Sequence, residues 1–229
     1  MRNIEPSHRQ KAAKRVLVMT AVEAEREAVL RGLRGAEGIE VMLAGIGAAS
    51  AAARTARALA ACGPYGLVVS AGIGGGFAGK AEPGSIVVAD AIVAADLGAE
   101  TAEGFSSLDE LGFGATRVPV EARLADRLCG ALLEAGLPVW SGPVLTVTTV
   151  TGTAETAAEL SARVPGAAAE AMEGYGVAAA AAIFGLPMLE IRTISNLVGP
   201  RDRSAWRIPD ALAALETASS ILGEVLLQP

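Results

Sequence analysis

The 229-residue chain reads as an α/β fold, a three-layer αβα sandwich around a central mixed, mostly parallel twisted sheet. Three observations carry that expectation. Short runs rich in β-branched residues alternate with alanine-rich runs of helical period, the pattern of a sheet covered on both faces. Residues 85–94 form a strand-like run that follows a glycine-rich stretch with no helix between, which inserts a β–β step and makes the sheet mixed. Finally, 52% of residues are hydrophobic but only 3% are aromatic, so Ala, Val and Leu must pack helices closely on the sheet.

Taken in order, residues 16–20 predict the first strand, and residues 23–33 a helix whose acidic first turn suits the positive end of the helix dipole. Residues 39–44 predict a strand running into Gly45 and Gly47, with a helix over 48–61. Residues 67–70 read as a strand and 72–79 as a glycine loop. The strand over 85–94 comes next, then a loop over 99–114. A helix over 121–135, a strand over 143–149 and a helix over 154–163 follow. A strand over 168–172, a helix over 175–184 and a strand over 188–195 complete the alternation. The last helix, 209–227, carries Ala211, Leu212, Leu215, Ala218, Ile221, Leu222 and Val225 on one stripe, with Pro209 in its tolerant first turn. No linker or repeat divides residues 16–229, which read as a single domain. Residues 1–15, basic through Arg2, Arg9, Lys11, Lys14 and Arg15, read as a flexible extension.

Composition excludes several classes. A net charge of −6 argues against nucleic acid as a partner. Cys62 and Cys129 are too few for a disulfide framework and lack metal-site spacing, which fits a reduced cytoplasmic setting. No apolar run reaches membrane length without charge, proline or glycine, and the basic start lacks the apolar segment of a signal peptide. The only histidine, His8, lies in the extension, so acid–base chemistry must come from carboxylates, amides, hydroxyls or water. No metal and no organic cofactor is expected. So apolar a chain is expected to bury surface between subunits, as a homo-oligomer, dimer or tetramer.

Three strand-like runs each lead to a polar residue: 16–20 to Glu25, 168–172 to Glu173, and 188–195 to Asn196. In open α/β sheets ligands sit beyond the carboxyl ends of strands, and two carboxylates with an amide there would suit a hydroxylated small molecule. Ala44-Gly45-Ile46-Gly47 starts like a dinucleotide fingerprint, but position 50 is Ser and the next strand ends at Ser70 without the ribose-binding acid, so a nicotinamide enzyme is rejected. Ala71-Gly72-Ile73-Gly74-Gly75-Gly76 is more specific, since its glycines let backbone approach a ligand closely; a tight β-loop-β connection is the plain alternative.

These segments, with Val18-Met19-Thr20-Ala21-Val22-Glu23-Ala24-Glu25, Ala171-Met172-Glu173 and Ile191-Arg192-Thr193-Ile194-Ser195-Asn196, occur in an order that resembles the nucleoside phosphorylase/nucleosidase superfamily over residues 16–227. Within it the closer resemblance is to the futalosine hydrolases, relatives of the methylthioadenosine/S-adenosylhomocysteine nucleosidases; residues 170–206 are the most specific part. The resemblance implies cleavage of futalosine to hypoxanthine and dehypoxanthine futalosine in menaquinone biosynthesis. It further implies that Glu25 activates water, with Glu23 the competing carboxylate in the same turn. Glu173 would accept hydrogen bonds from the ribose hydroxyls, with Met172 packed on the sugar face. Asn196 would stabilise the departing base. The adenosine-type nucleosidases carry Asp at this place; an amide instead offers NH₂ donors to N7 and O6 of a 6-oxopurine.

Val150, Thr151 and Gly72 would line the base pocket, where the usual aromatic stacker is absent, and Ile73 stands where the adenosine-type enzymes carry a serine. The phosphorylases' Gly-Asp-Pro-x-Arg-Ala is replaced by Thr20-Ala21-Val22-Glu23-Ala24-Glu25, whose carboxylate repels phosphate and favours hydrolysis. Arg201, Arg203 and Trp206, and Phe105 from either subunit, are candidates for holding the benzoate end of futalosine; basic loop residues are, however, commonly just solvent-exposed. Glu190 and Arg192 share a strand face and are expected to pair structurally. The alternatives are a methylthioadenosine-type nucleosidase, a purine nucleoside phosphorylase and a non-catalytic nucleoside-binding sensor.

Overall fold

The computed structural model describes residues 15–227. Its elements are β1 (Arg15–Thr20), α1 (Glu23–Leu33), β2 (Ile39–Leu43), α2 (Ala48–Cys62), β3 (Tyr65–Gly76), β4 (Ile86–Ala94), β5 (Gly98–Thr101), β6 (Gly104–Ser107), α3 (Leu108–Leu111), β7 (Arg117–Pro119), α4 (Ala122–Glu134), β8 (Val139–Thr146), α5 (Ala154–Arg163), β9 (Ala169–Ala171), α6 (Gly174–Ile183), β10 (Met188–Leu197), a 3₁₀ turn (Arg203–Ala205) and α7 (Ile208–Leu227). The expected extension lies outside the described residues, except for Arg15, which opens β1.

The sheet is mixed, as the β–β step between β3 and β4 requires. Strand β3 pairs in parallel with β1 and β10, and β1 with β2; β4, β8 and β9 run the other way, parallel to one another. Antiparallel contacts join β10 to β4, β9 to β3 and β7 to β4. The path β3–β10–β4–β8–β9 therefore returns to β3 and closes on itself.

Strand β3 is the axis of this arrangement, and it corrects the sequence reading. Residues 72–76 were expected in a loop, since glycine is depleted in strands. Yet β3 continues through them to Gly76, because β10 pairs with it from Val68 to Gly76 and supplies the ladder. The expected loop over 99–114 likewise contains the β5–β6 hairpin and the short α3, capped by Ser107. Along its other edge β3 is paired by β1 only as far as Ser70 and by β9 only from Gly75. Residues 71–74 face no strand on that side. This gap in the sheet is where the site forms.

Alternation along β10 sorts its side chains between layers. Leu189 and Ile191 enter the core under α1, α4 and α7, while Met188 and Ile194 face the core under α2 and α6. Glu190 and Arg192 share that second face. A third cluster, with Val93, Leu145, Leu160 and Val198, lies under α5.

Helices α2 and α6 meet through small residues. A methyl group on Gly176 would come 2.0 Å from the Ala48 carbonyl oxygen at the start of α2. Gly176→Ala should therefore force the helices apart and destabilise the fold by about 1–3 kcal/mol, as overpacking does. Chemical denaturation of the variant against the parent measures this.

Candidate active site

Glu25 sits in the first turn of α1 and is only 3% exposed. Its carboxylate fills the gap left between β1 and β9. Oε1 accepts the Ile73 N–H at 2.9 Å, a donor that a neighbouring strand would otherwise take. Oε2 accepts from the N–H groups of Ala21 (2.8 Å) and Val22 (3.3 Å), so the side chain also closes the turn that starts its own helix. Gly72 makes room for it: a Cβ there would lie 2.6 Å from Glu25 Oε1 and 2.8 Å from Arg192 Nη1. Burial pushes the Glu25 carboxyl up; Arg192 and the Ile73 and Ala21 N–H groups pull it down, and Glu173 adds to the rise. Glu23 is exposed and pairs with Arg26, away from the gap.

Glu173, 7% exposed, is the residue before α6. Oε1 accepts the Gly47 N–H at 3.1 Å and Oε2 the Met172 N–H at 3.3 Å. Gly47 opens α2 with φ +85° and ψ 150°, a conformation essentially reserved for glycine, so the second Gly of Gly45-Ile46-Gly47 serves to aim a backbone donor at this carboxylate. Met172 is half-buried beside it.

Arg192 ties the two acids together. It is 1% exposed; Nε donates to Glu190 Oε1 at 2.9 Å, Nη2 to Ser70 Oγ at 2.9 Å, and Nη1 lies 3.6 Å from Glu173 Oε2. The expected Glu190–Arg192 pair thus exists, but it belongs to the same charge cluster as Glu25 and Glu173. Glu190 is fully buried, and its Oε2 has no hydrogen-bond partner. Three carboxylates share one guanidinium, an environment hostile to a further anion.

Asn196 was expected just past the end of its strand; it lies inside β10, which runs on to Leu197. Ile194 pairs with Gly74 and Asn196 with Gly75, so Ser195 is an extra residue in the ladder. Such a bulge re-aims the side chain that follows it. Asn196 Oδ1 accepts from Ser195 Oγ at 2.8 Å, and Nδ2 donates to the Leu197 carbonyl at 2.9 Å. Gly75 is three residues along β3 from Gly72, about 10 Å at strand rise, so the amide and the Glu25–Glu173 pair stand at separate points along β3. Because β9 opposes β3, the polar groups do not simply gather at the carboxyl ends of parallel strands.

Val150 is partly exposed, whereas Thr151 is buried, with its N–H donating to Glu170 Oε1 at 2.9 Å and its hydroxyl to Glu170 Oε2. Arg201 and Arg203 lie 5.1 and 5.9 Å from the Trp206 ring centre, and the Arg201 N–H donates to the Gly152 carbonyl, so their loop abuts the 150–152 segment. Phe105 is elsewhere in this chain. It lies under the Arg163 guanidinium at 3.7 Å, lining a cavity of about 1020 Å³ that includes none of Glu25, Glu173 and Asn196. Sequence reasoning missed Arg192 as a member of the site and passed over Glu170. The available signal was a charged residue inside an apolar strand run, at Ala169-Glu170-Ala171 and at Leu189-Glu190-Ile191-Arg192. Among the described residues no group of three or more His, Cys, Asp or Glu side chains is placed to hold a metal ion.

The family model for the phosphorylase superfamily matches residues 11–228. The chain is 53% identical to futalosine hydrolase of Streptomyces coelicolor, over 92% of this chain and 96% of that one. It is 36% identical to futalosine hydrolase of Thermus thermophilus, over 82% of each. Among solved structures, 5'-methylthioadenosine/S-adenosylhomocysteine nucleosidase of Neisseria meningitidis superposes with a TM-score of 0.80 at 20% identity, covering 93% of this chain and 98% of that one. Futalosine hydrolase of Helicobacter pylori superposes at 0.78 and 18% identity, covering 94% and 97%. These structures share the nucleosidase fold, with its mixed sheet and flanking helices.

A base must be ionised to take a proton. Since burial is the largest influence on Glu25, turnover that uses it should fall as pH drops through a value above the ordinary glutamate 4.5. The acid limb of kcat against pH tests this.

Proposed function

This chain belongs to the phosphorylase superfamily and, within it, to the futalosine hydrolases, and from that membership we propose that it hydrolyses the N-ribosyl bond of futalosine, releasing hypoxanthine. The observation that carries the reading is the Glu25 carboxylate, held by backbone donors in the gap of the sheet and set against Arg192 and Glu173.

Breaking a C–N bond to a purine builds positive charge on the sugar and negative charge on the base. Glu25 takes the proton from water as its oxygen bonds to the anomeric carbon; the C–N electrons leave with the base. Glu173, with both oxygens oriented by backbone N–H groups, accepts from the ribose hydroxyls and stabilises the cationic sugar. Asn196 donates to the N7 side of the departing base, where charge accumulates. Arg192 fixes the spacing of the two acids. With three carboxylates on one guanidinium, the cluster favours neutral water over phosphate as nucleophile.

Val150, Thr151 and Gly72 line the base side, with Gly75 beside Asn196. Arg201, Arg203 and Trp206, beside the 150–152 loop, are the candidates for the substrate's anionic tail, and Arg201 and Arg203 appear in no ion pair among the described residues. The protein would work without a cofactor, in the cytoplasm, as a homo-oligomer in the menaquinone route. In support, Cys62 and Cys129 are free thiols, no described helix is long and apolar enough to cross a membrane, and Ile46, Phe113 and Ile183 are exposed.

Three experiments test the reading. Glu25→Gln should retain nucleoside binding while turnover falls by about 10²–10⁴-fold, the usual worth of a positioned base; near-normal hypoxanthine release removes its role. Release should also be indifferent to added phosphate, and dependence on it would favour a phosphorylase. Asn196→Asp should shift preference from 6-oxopurine towards 6-aminopurine nucleosides, read as the ratio of kcat/KM values; an unchanged ratio defeats the base assignment.

A further inference from the structure

Glu170 is a buried carboxylate that the reaction above does not use. It is 5% exposed, lies between Ala169 and Ala171 in a three-residue strand, and pairs with no cation among the described residues. Burying such a group is costly without a purpose for its lone pairs. Its place in the sheet supplies one. Asn196 on β10, Gly75 on β3 and Glu170 on β9 are register partners in a single row. Directly opposed residues of antiparallel strands point to the same face, and a Cβ on Gly75 would lie 3.3 Å from Asn196 Nδ2. Asn196 and Glu170 therefore stand on either side of a slot floored by Gly75 and the Val198 side chain, whose Cγ2 would lie 3.0 Å from a Gly75 Cβ. Across two strand spacings they leave the sheet roughly 10 Å apart, the span of a flat heterocycle.

The two walls differ in hydrogen-bonding sense. On the Asn196 side, Nδ2 has a second hydrogen beyond the one given to Leu197, while Oδ1 takes the shorter of two contacts of the Ser195 hydroxyl, 2.8 Å against 3.2 Å to the Gly74 carbonyl. That wall donates. On the other side, Glu170 accepts the Thr151 N–H on Oε1 and the Thr151 hydroxyl on Oε2, with a further lone pair on each oxygen. With its hydroxyl proton committed to Glu170, Thr151 Oγ1 can only accept. That wall accepts. A 6-oxopurine offers acceptors at N7 and O6 and a donor at N1–H, so it matches both walls. A 6-aminopurine, with an amino donor and a bare N1, opposes both.

We infer that Glu170, held by Thr151, accepts the N1–H of the leaving base and so selects 6-oxopurine over 6-aminopurine nucleosides. The inference rests on the hydrolase reading above and deepens it. Burial raises the Glu170 carboxyl and the two Thr151 donors lower it, in keeping with a carboxylate held as an acceptor.

Glu170→Gln keeps the volume and turns an NH₂ towards the slot. With futalosine and its 6-amino counterpart as substrates, and the released base identified by chromatography, the kcat/KM ratio should fall by at least about tenfold and towards 10⁴-fold, the range for mismatched buried polar groups. Thr151→Val should move the ratio the same way by less. A variant that unfolds at the parental temperature and keeps the parental ratio overturns the inference, as does an equal loss on both substrates. A second measurement needs no variant. The unmodified protein should bind hypoxanthine at least about tenfold more tightly than 1-methylhypoxanthine in calorimetry, because methylation removes the donor; equal affinities overturn it. If the unmodified protein releases no hypoxanthine from futalosine, the hydrolase reading fails instead, and the affinities for the two free bases still decide the role of Glu170.

Discussion

The burial of one guanidinium organises this molecule. Arg192 is all but sealed from solvent, and a charge so placed survives only with counter-charges and hydrogen bonds around it. Glu190 comes from its own strand, Glu173 from the junction of β9 and α6, and Glu25 from the start of α1, so segments far apart in the chain meet on its nitrogens and their field. Removing one partner of a buried pair typically costs about 3–5 kcal/mol, a large share of a domain's stability. The groups that would perform the chemistry are thus also those that hold α1, α6 and β10 in their mutual positions.

The second constraint is absence of bulk. Gly72 lets Glu25 and Arg192 approach the β3 backbone, Gly75 does the same for Val198 and Asn196, and a Cβ at either position would crowd them. The strand keeps its conformation although glycine contributes nothing to sheet propensity, because β10 pairs with it from Val68 to Gly76. Stability is borrowed from a neighbour so that the site can be open.

Much of this was legible in the residues. The helices 23–33 and 154–163 coincide with α1 and α5, since their apolar period and flanking polar residues mark both ends. Glu25, Glu173 and Asn196 were singled out from motif order. What escaped notice depends on partners remote in sequence. Residues 72–76 look like a loop until β10 is placed beside them. Asn196 looks like a residue after a strand until the unpaired Ser195 shows that the ladder continues past it. The β5–β6 hairpin, four residues to a strand, is too short to show alternation. Glu170 and Glu190 carried a local hint, an acid where an apolar residue was due, but which cation or donor each would meet is a matter of tertiary register.

The extra residue at Ser195 also bears on how such a site can diversify. Upstream of it, β10 is locked to β3 in strict alternation around Arg192; downstream, the facing of each side chain is set afresh. A one-residue length change at that point would rotate everything from Asn196 onward while leaving the acid cluster in register. Under the roles proposed above, base preference and bond cleavage would be separable along a single strand, so that a change in one need not disturb the other.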